Sequence, residues 1–332
     1  MEKVRWGVLS TAAFGVNTFI PSLLKGELSE LVAVASRSLE SAQRVAHQFG
    51  VHSAYGSYEA LIADPAIEVI YNPLPNDLHV PMTLLAARAG KHVLCEKPIA
   101  MNALQAQALR EIKNVHIMEA FMVRFHPQWH RVRELLRSGA LGEIRTLQTH
   151  FSYFNRDPNN IRNRPENGGG ALYDIGCYAV VTGRYIFENE PTRVMCMMDR
   201  DPEFGIDRTV SAMLDYGYGR QQTFTVSTQA TRSQSVQILG TRKRLKVDVP
   251  FNAPFDGPTK LFIDDAQDLS GKSAHMELIS PANQYTLQCE VFSRVVRGQA
   301  DLPYGVEDAI SNMKVIDALF HSAKSGQWEK VV

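Results

Sequence analysis

The sequence predicts a two-domain α/β chain, with a helix-covered parallel sheet first and a larger, mostly antiparallel open sheet after it. Three observations carry that expectation. Short continuous apolar runs alternate with helical periodicity over the first 120 residues. Alternating, β-rich sequence dominates from 142 to 249. The 332 residues are enough for two separate cores.

The elements follow in order. Val4–Leu9 reads as a first strand, and Ser10 to Gly15 leads into an apolar-periodic helix toward Leu24. Leu31–Ala35 is a second strand. Ser38 to Phe49 is a helix with Ala42, Val45 and Ala46 on one face. Glu68–Tyr71 is a third strand, Leu78–Ala89 a helix, His92–Cys95 a fourth strand, and Ile117–Ala120 one more. Strands of this kind separated by helices describe a dinucleotide-binding, Rossmann-type domain.

The later chain predicts a helix over Gln128–Arg137, then β-rich sequence over Gly142–Tyr153. A polar Pro/Gly-rich loop at 155–170 precedes a helix at Asp174–Phe187. Further strands include Val210–Tyr216, Gln222–Ser227 and Ser235–Leu239, and 284–298 and 306–324 read as helices. Helices on one side of a broad sheet leave the other face to bury, most simply against a second copy of the chain. The boundary is expected near 121, giving domains 1–121 and 122–332, with the C-terminal helices packing back on the first.

Charge excludes some functions. Lys+Arg and Asp+Glu are equal at 35 each, so no global field draws the chain to nucleic acid or an anionic membrane. No apolar stretch reaches spanning length, and the start runs straight into a strand with no leader-type core. Cys95, Cys177, Cys196 and Cys289 form no Cys-x-x-Cys pair, which fits reduced thiols in a cytoplasmic protein. No His, Cys or carboxylate spacing suggests a metal, and no nucleophile-elbow or Walker motif is present.

The candidate chemistry sits at strand ends. Against the G-x-G-x-x-G pattern the chain supplies Ser10, Ala12 and Gly15. Gly15 would allow close helix–strand contact, Ser10 makes the tight turn only with φ below zero, and Ala12 sets one methyl near a pyrophosphate. A strand-to-helix turn with no ligand fits almost as well. The second strand ends in Ser36-Arg37-Ser38, where a carboxylate would select NAD. Two hydroxyls and a guanidinium suit a 2′-phosphate, so the sequence favours NADP, although Ser38 can also cap the next helix. Asn72-Pro73-Leu74-Pro75-Asn76-Asp77-Leu78-His79 forms a stiff loop beside the cofactor, with Asn76 or Asp77 as helix cap. Glu96-Lys97-Pro98 puts a lysine at the end of the fourth strand, where open α/β sheets bind ligands.

These pieces resemble the glucose–fructose oxidoreductase/inositol dehydrogenase (Gfo/Idh/MocA) family over essentially the full chain. The matching segments include Glu119-Ala120-Phe121-Met122-Val123-Arg124-Phe125-His126-Pro127 and Gly168-Gly169-Gly170-Ala171-Leu172-Tyr173-Asp174-Ile175-Gly176-Cys177-Tyr178. The resemblance implies a nicotinamide domain, a C-terminal α/β domain whose open sheet supports a homodimer or homotetramer, and sugar, polyol or diol substrates.

It puts Lys97 near the reacting oxygen. Tyr178 stands where many members carry histidine, which is similar to the xylose dehydrogenase, dihydrodiol dehydrogenase and glucose–fructose oxidoreductase subgroup. Lys97, Tyr178 and Asp174 are then the catalytic candidates, with Asp174 and Tyr178 four residues apart on one helix face. Thr11, Ala13, Phe14, Glu96 and Arg124 join the residues above as cofactor contacts. Phe154, Arg156 and Arg162 join Lys97, Asp174 and Tyr178 on the substrate side, although the two arginines can also simply pair with carboxylates. The activity expected is NADP-dependent oxidation of an aldose at C1, or of a small cyclic diol. The alternatives are a sugar–sugar oxidoreductase that retains NADP and a non-catalytic NADP-binding regulator.

Overall fold

The protein is described from a computed structural model covering residues 2–268 and 270–332. It divides into two compact units, Met1–Met122 with Gln284–Ile310, and Val123–Asn283 with Ser311–Val332.

The first unit is built on six parallel strands: β1 (Val4–Leu9), β2 (Ser29–Ala35), β3 (Ser53–Tyr55), β4 (Val69–Asn72), β5 (His92–Cys95) and β6 (Ile117–Glu119). Their order is β3-β2-β1-β4-β5-β6, so the direction of winding reverses between β1 and β4. A crevice at the carboxyl ends of those two strands is where such sheets take their ligands. Trp6, Val8, Leu9, Ile70 and Tyr71 are fully buried, as strands covered on both faces require. The helices are α1 (Ile20–Leu23, continuing a π-helical turn at Gly15–Phe19), α2 (Leu39–Phe49), α3 (Tyr58–Ile62), α4 (Asn76–Arg88) and α5 (Ala103–Gln107).

Sequence reading missed β3 and α3. A three-residue, half-buried edge strand is too short to show a period.

This unit takes its last helix from far down the chain. On Gln284–Val296 (α8, after α6 and α7 below), Ser293 Oγ accepts from Trp6 Nε1 at 3.3 Å and Glu290 Oε1 from the Leu28 N–H at 2.9 Å. Just beyond it, Arg297 donates to both carboxylate oxygens of Glu68, at 2.7 and 3.0 Å.

The second unit carries a nine-stranded sheet: β7 (Ile144–Phe154), β8 (Arg193–Arg200), β9 (Asp207–Asp215), β10 (Gln221–Ser227), β11 (Gln229–Gly240), β12 (Arg244–Val247), β13 (Thr259–Asp264), β14 (His275–Ile279) and β15 (Glu329–Lys330). The order is β14-β13-β12-β11-β7-β10-β9-β8-β15, antiparallel except for the β7–β10 pair. Alternation sorts the two faces. On β10, Phe224 and Val226 are buried, whereas Thr223 and Thr225 face outward with Met197 and Met213 of the neighbouring strands. Helices α6 (Pro127–Arg137) and α7 (Cys177–Phe187) pack on the inner side. Helix α9 (Val306–Ser325) adds Phe320 against Tyr173, and its Ser322 accepts from the Cys196 N–H at 2.9 Å. Among the described residues, no helix is long and apolar enough to cross a membrane.

Candidate active site

In the first unit the turn after β1 differs from its sequence expectation. Ser10 adopts φ 130°, a region glycine normally occupies, instead of the negative φ expected of a serine. Such a position costs about 1–3 kcal/mol and persists only when its surroundings hold it. Here the Ser10 N–H donates to the Ala35 carbonyl at 2.9 Å, and Ser10 Oγ accepts the Ala12 N–H at 3.0 Å. Gly15 is not needed for close packing, since a Cβ there would meet nothing nearer than the Ser10 carbonyl oxygen at 4.0 Å. The tight approach falls on Gly7 instead, where a Cβ would press Leu61 Cδ2 at 2.8 Å. Ala12, Ala13 and Phe14 lie exposed at the start of the helix, with Phe14 edge-on to Tyr285 at 5.7 Å. Helix N–H groups presented this way suit an anion.

Beside that turn, Thr11 Oγ1 donates to Ser36 Oγ at 3.2 Å. Ser38 caps α2 by accepting the Ser41 N–H at 3.3 Å. Arg37 is exposed and within hydrogen-bonding reach of the Tyr58 hydroxyl, a neighbour sequence reading missed. The end of β2 thus presents a guanidinium and hydroxyls with no carboxylate among residues 35–38, which fits a phosphate rather than a bare ribose.

The loop after β4 is more inward than expected. Asn72 is fully buried, donating to the His79 carbonyl at 3.1 Å and Thr83 Oγ1 at 3.2 Å while accepting from the Leu74 N–H at 3.3 Å. His79 is 1% exposed, with its ring nitrogens 2.7 Å from the Pro98 and Leu74 carbonyls. Two carbonyl partners favour a doubly protonated ring, but burial dominates, aided by the charge of Lys97, and pushes His79 down to about 4. The neutral ring therefore donates to one of the two carbonyls.

Asn72 and His79 brace the loops rather than offering side chains to a cofactor. Leu74 is buried with them, and Pro73 and Asn76 remain partly exposed. Helix α4 begins at Asn76, with Pro75 in the N-cap position expected for Asn76 or Asp77. At the end of β5, Glu96 accepts from Tyr71 Oη at 2.7 Å and from the Lys97 N–H at 3.3 Å. Lys97 itself is half-buried.

In the second unit, Asp174 is the centre of a polar cluster. Tyr153 Oη donates to Asp174 Oδ2 in a very short hydrogen bond, and Arg162 Nε donates to Oδ1 at 2.9 Å. Burial, then the Asp174 charge, drives the Tyr153 phenol far up, so it stays protonated as a donor. Sequence reading gave Tyr153 no polar role, because nothing local ties it to a residue 21 positions on.

Tyr178 packs among the aromatic side chains of the same unit. It is 6% exposed, with its ring 5.9 Å from Phe151 and 5.4 Å from Phe251. Leu172–Gly176 is a π-helical turn that runs into α7, so Asp174 and Tyr178 are joined through a wider turn than a regular α-helix gives. Phe154 is exposed at 67%. Arg156 is 44% exposed and paired with Glu203 at 2.6 Å, the carboxylate pairing that its sequence also allowed. Arg124 is buried, and its carbonyl accepts from His130 Nε2 at 3.0 Å.

Comparison with known proteins agrees with this construction. A family model for NAD-binding Rossmann-fold oxidoreductases matches residues 4–117, and the GFO/IDH/MocA C-terminal domain matches 129–246. The chain is 44% identical to an uncharacterized oxidoreductase, ORF334, of Rhizobium meliloti, over all of both chains. It is 35% identical to a D-xylose 1-dehydrogenase (NADP(+)) of Haloferax volcanii, covering 97% of this chain and 98% of that one. Among solved structures, the 3-ketoreductase KijD10 of Actinomadura kijaniata, in complex with NADP and TDP-benzene, superposes with a TM-score of 0.90 at 26% identity. That match covers 97% of this chain and 98% of the other. The full-length likeness, the two family models and the six-plus-nine-stranded construction lead to one conclusion: the chain belongs to the Gfo/Idh/MocA family of oxidoreductases, nearest its xylose and dihydrodiol dehydrogenase subgroup.

Proposed function

We propose that the protein is an NADP-dependent dehydrogenase oxidising an aldose at its anomeric hydroxyl, of the D-xylose or D-glucose type, with a small cyclic diol as the second substrate class. The observation that carries this reading is the Asp174 cluster, a fixed carboxylate with a phenol and a guanidinium on it, suited to orienting hydroxyls. Support for the cofactor comes from Arg37 between Ser36 and Ser38, and from the NADP named for the Haloferax and Actinomadura proteins. The first unit serves as the nucleotide domain. The second serves substrate binding and assembly.

NADP would be held by the Ser10–Phe14 turn and the Ser36–Ser38 cluster, and supplies hydride acceptance at its nicotinamide. The chain's own residues handle charge and protons. Asp174 accepts a substrate hydroxyl and fixes its orientation. Tyr178 takes the hydroxyl proton as the carbonyl forms, and returns it in the reverse direction. Lys97 lowers the energy of the developing alkoxide. Arg162 and Tyr153 hold the Asp174 carboxylate in place.

The outward face of the nine-stranded sheet holds a groove of about 570 Å³ lined in part by His150, Met195, Met197 and Met213, and serves a homodimer or homotetramer. Four buried free thiols fit a reducing, cytoplasmic setting.

Lys97→Met and Tyr178→Phe test the mechanism. Each should lose about 100-fold or more in turnover, while NADPH binding, followed by nucleotide fluorescence, is retained. Near-normal turnover in Tyr178→Phe would remove the proton role from Tyr178 and leave it with Lys97.

A further inference from the structure

We propose that Asp207 is a positioning residue for the helix carrying Asp174 and Tyr178, which it holds by accepting the Leu172 N–H at that helix's start. The consequence for turnover rests on the catalytic roles given above.

Asp207 opens β9 and is 2% exposed. Its Oδ2 accepts the Leu172 N–H at 2.7 Å. The chain reaches this carboxylate through three glycines. Gly170 adopts φ 121°, and a Cβ there would collide with Asp207 Oδ1. A Cβ on Gly169 would strike the Arg162 carbonyl at 2.6 Å. The Gly170 N–H donates to that same carbonyl at 2.9 Å. The glycines therefore thread between a buried acid and the backbone of the loop that carries Arg162.

A second anchor lies farther along. Buried Gln222 donates through Nε2 to the Ala179 carbonyl at 2.7 Å, and its Oε1 accepts from Tyr216 Oη at 3.1 Å. A Cβ on Gly183 would collide with both of these side chains. Asp174 and Tyr178 sit between the two anchors. Losing the first would free the end nearer Asp174, whose bonds to Tyr153 and Arg162 depend on its placement.

The groups facing Asp207 are Arg200 and Cys196 from β8 and Tyr173 from the helix, with Asp317 of α9 acting on Tyr173. Burial pushes the Asp207 carboxyl up to about 6, against the pull of its backbone donors and of Arg200. A raised value means that the closed helix start holds the protonated carboxyl more firmly than an opened one does, with the remaining carbonyl oxygen accepting the Leu172 N–H, so the anchor is firmest below that pH.

The test is amide hydrogen exchange of residues 170–178, with kcat and cofactor KM measured from pH 5 to 8, in the full chain, Asp207→Asn and Gly170→Ala. Expected in both variants is about tenfold faster exchange at 170–174, unchanged exchange in β1–β6, unchanged cofactor KM, and kcat lowered about tenfold or more. In the unmodified protein exchange at 170–174, corrected for intrinsic rate, should speed up as pH rises through 6, a change that Asp207→Asn lacks. Unchanged exchange at 170–174 would overturn the proposal. So would faster exchange with normal kcat and an unaltered pH profile, which would make Asp207 merely structural. If neither variant folds, the unmodified protein decides: exchange at 170–174, corrected for intrinsic rate, must slow as pH falls through 6. Exchange needs no substrate, so an error in the assigned activity is distinguishable from an error in the anchor.

Discussion

The nucleotide end of the first unit and the Asp174 helix of the second hold their functional side chains by different means. In the first, loops at the ends of parallel strands are braced from within by neutral buried groups, Asn72 and His79, so that Arg37 and Lys97 face outward or remain half-buried. In the second, a helix is pinned from outside its own sequence by an acid on β9 and an amide on β10, and its carboxylate is clasped by Tyr153 and Arg162. A phosphate needs donors at an accessible edge. Orienting a hydroxyl needs a carboxylate that cannot swing. The difference in support follows the difference in task.

Breaking the clasp should have the largest effect. Tyr153→Phe removes a charge-assisted hydrogen bond to Asp174, a loss of about 2–3 kcal/mol, and should lower kcat/KM for substrate by about 30–100-fold. Cofactor KM should not change. A proportional loss in cofactor affinity would mean Tyr153 supports the fold rather than the carboxylate.

Loosening the other region should cost less. Arg37→Ala removes an exposed guanidinium and should raise KM for NADP about tenfold while leaving NAD nearly unchanged. Equal effects on both nucleotides would place Arg37 away from the 2′-phosphate.

The last comparison concerns stability, where the two regions carry opposite signs. His79 has its folded value depressed to about 4 from an ordinary 6.5. Its contribution of about 3 kcal/mol is present above pH 6.5 and is lost as pH falls toward 4. Asp207 has its folded value raised from 3.8 to about 6, so its contribution is present below 3.8 and is lost as pH rises through 6. Melting curves from pH 4 to 8 should therefore show His79→Gln losing less stability on acidification than the unmodified chain. Asp207→Asn should lie closest to the unmodified chain at pH 8. Parallel curves would remove both assignments.

How much of this was legible in the sequence follows the same division. Ser36, Arg37 and Ser38 lie consecutively where a strand meets a helix cap, so their joint presentation could be read from the chain. Lys97 was placed by the apolar run before it. What stayed hidden depends on pairing across distance: Tyr153 with Asp174, Asp207 with Leu172, and Tyr285 with Phe14. No local period encodes those. Burial hid others, since the loop of Asn72 and His79 reads as polar and ligand-facing, yet its polar atoms satisfy one another inside the fold. The Ser10 backbone conformation was missed because serine disfavours it, and only hydrogen bonds to Ala35 and Ala12 hold it there. The edge strand β3 was too short to read.

The central claim is that this chain passes hydride from an aldose to NADP, and absorbance at 340 nm tests it most directly. Purified protein would be mixed with NADP or NAD across a panel of aldoses, polyols and cyclic diols. The account predicts NADPH formation with at least one pentose or hexose aldose, and a rate with NAD lower by about tenfold or more. No reduced nucleotide with any panel member, from protein shown to bind NADP, together with no oxidation of NADPH by the matching lactones and ketones, would contradict it.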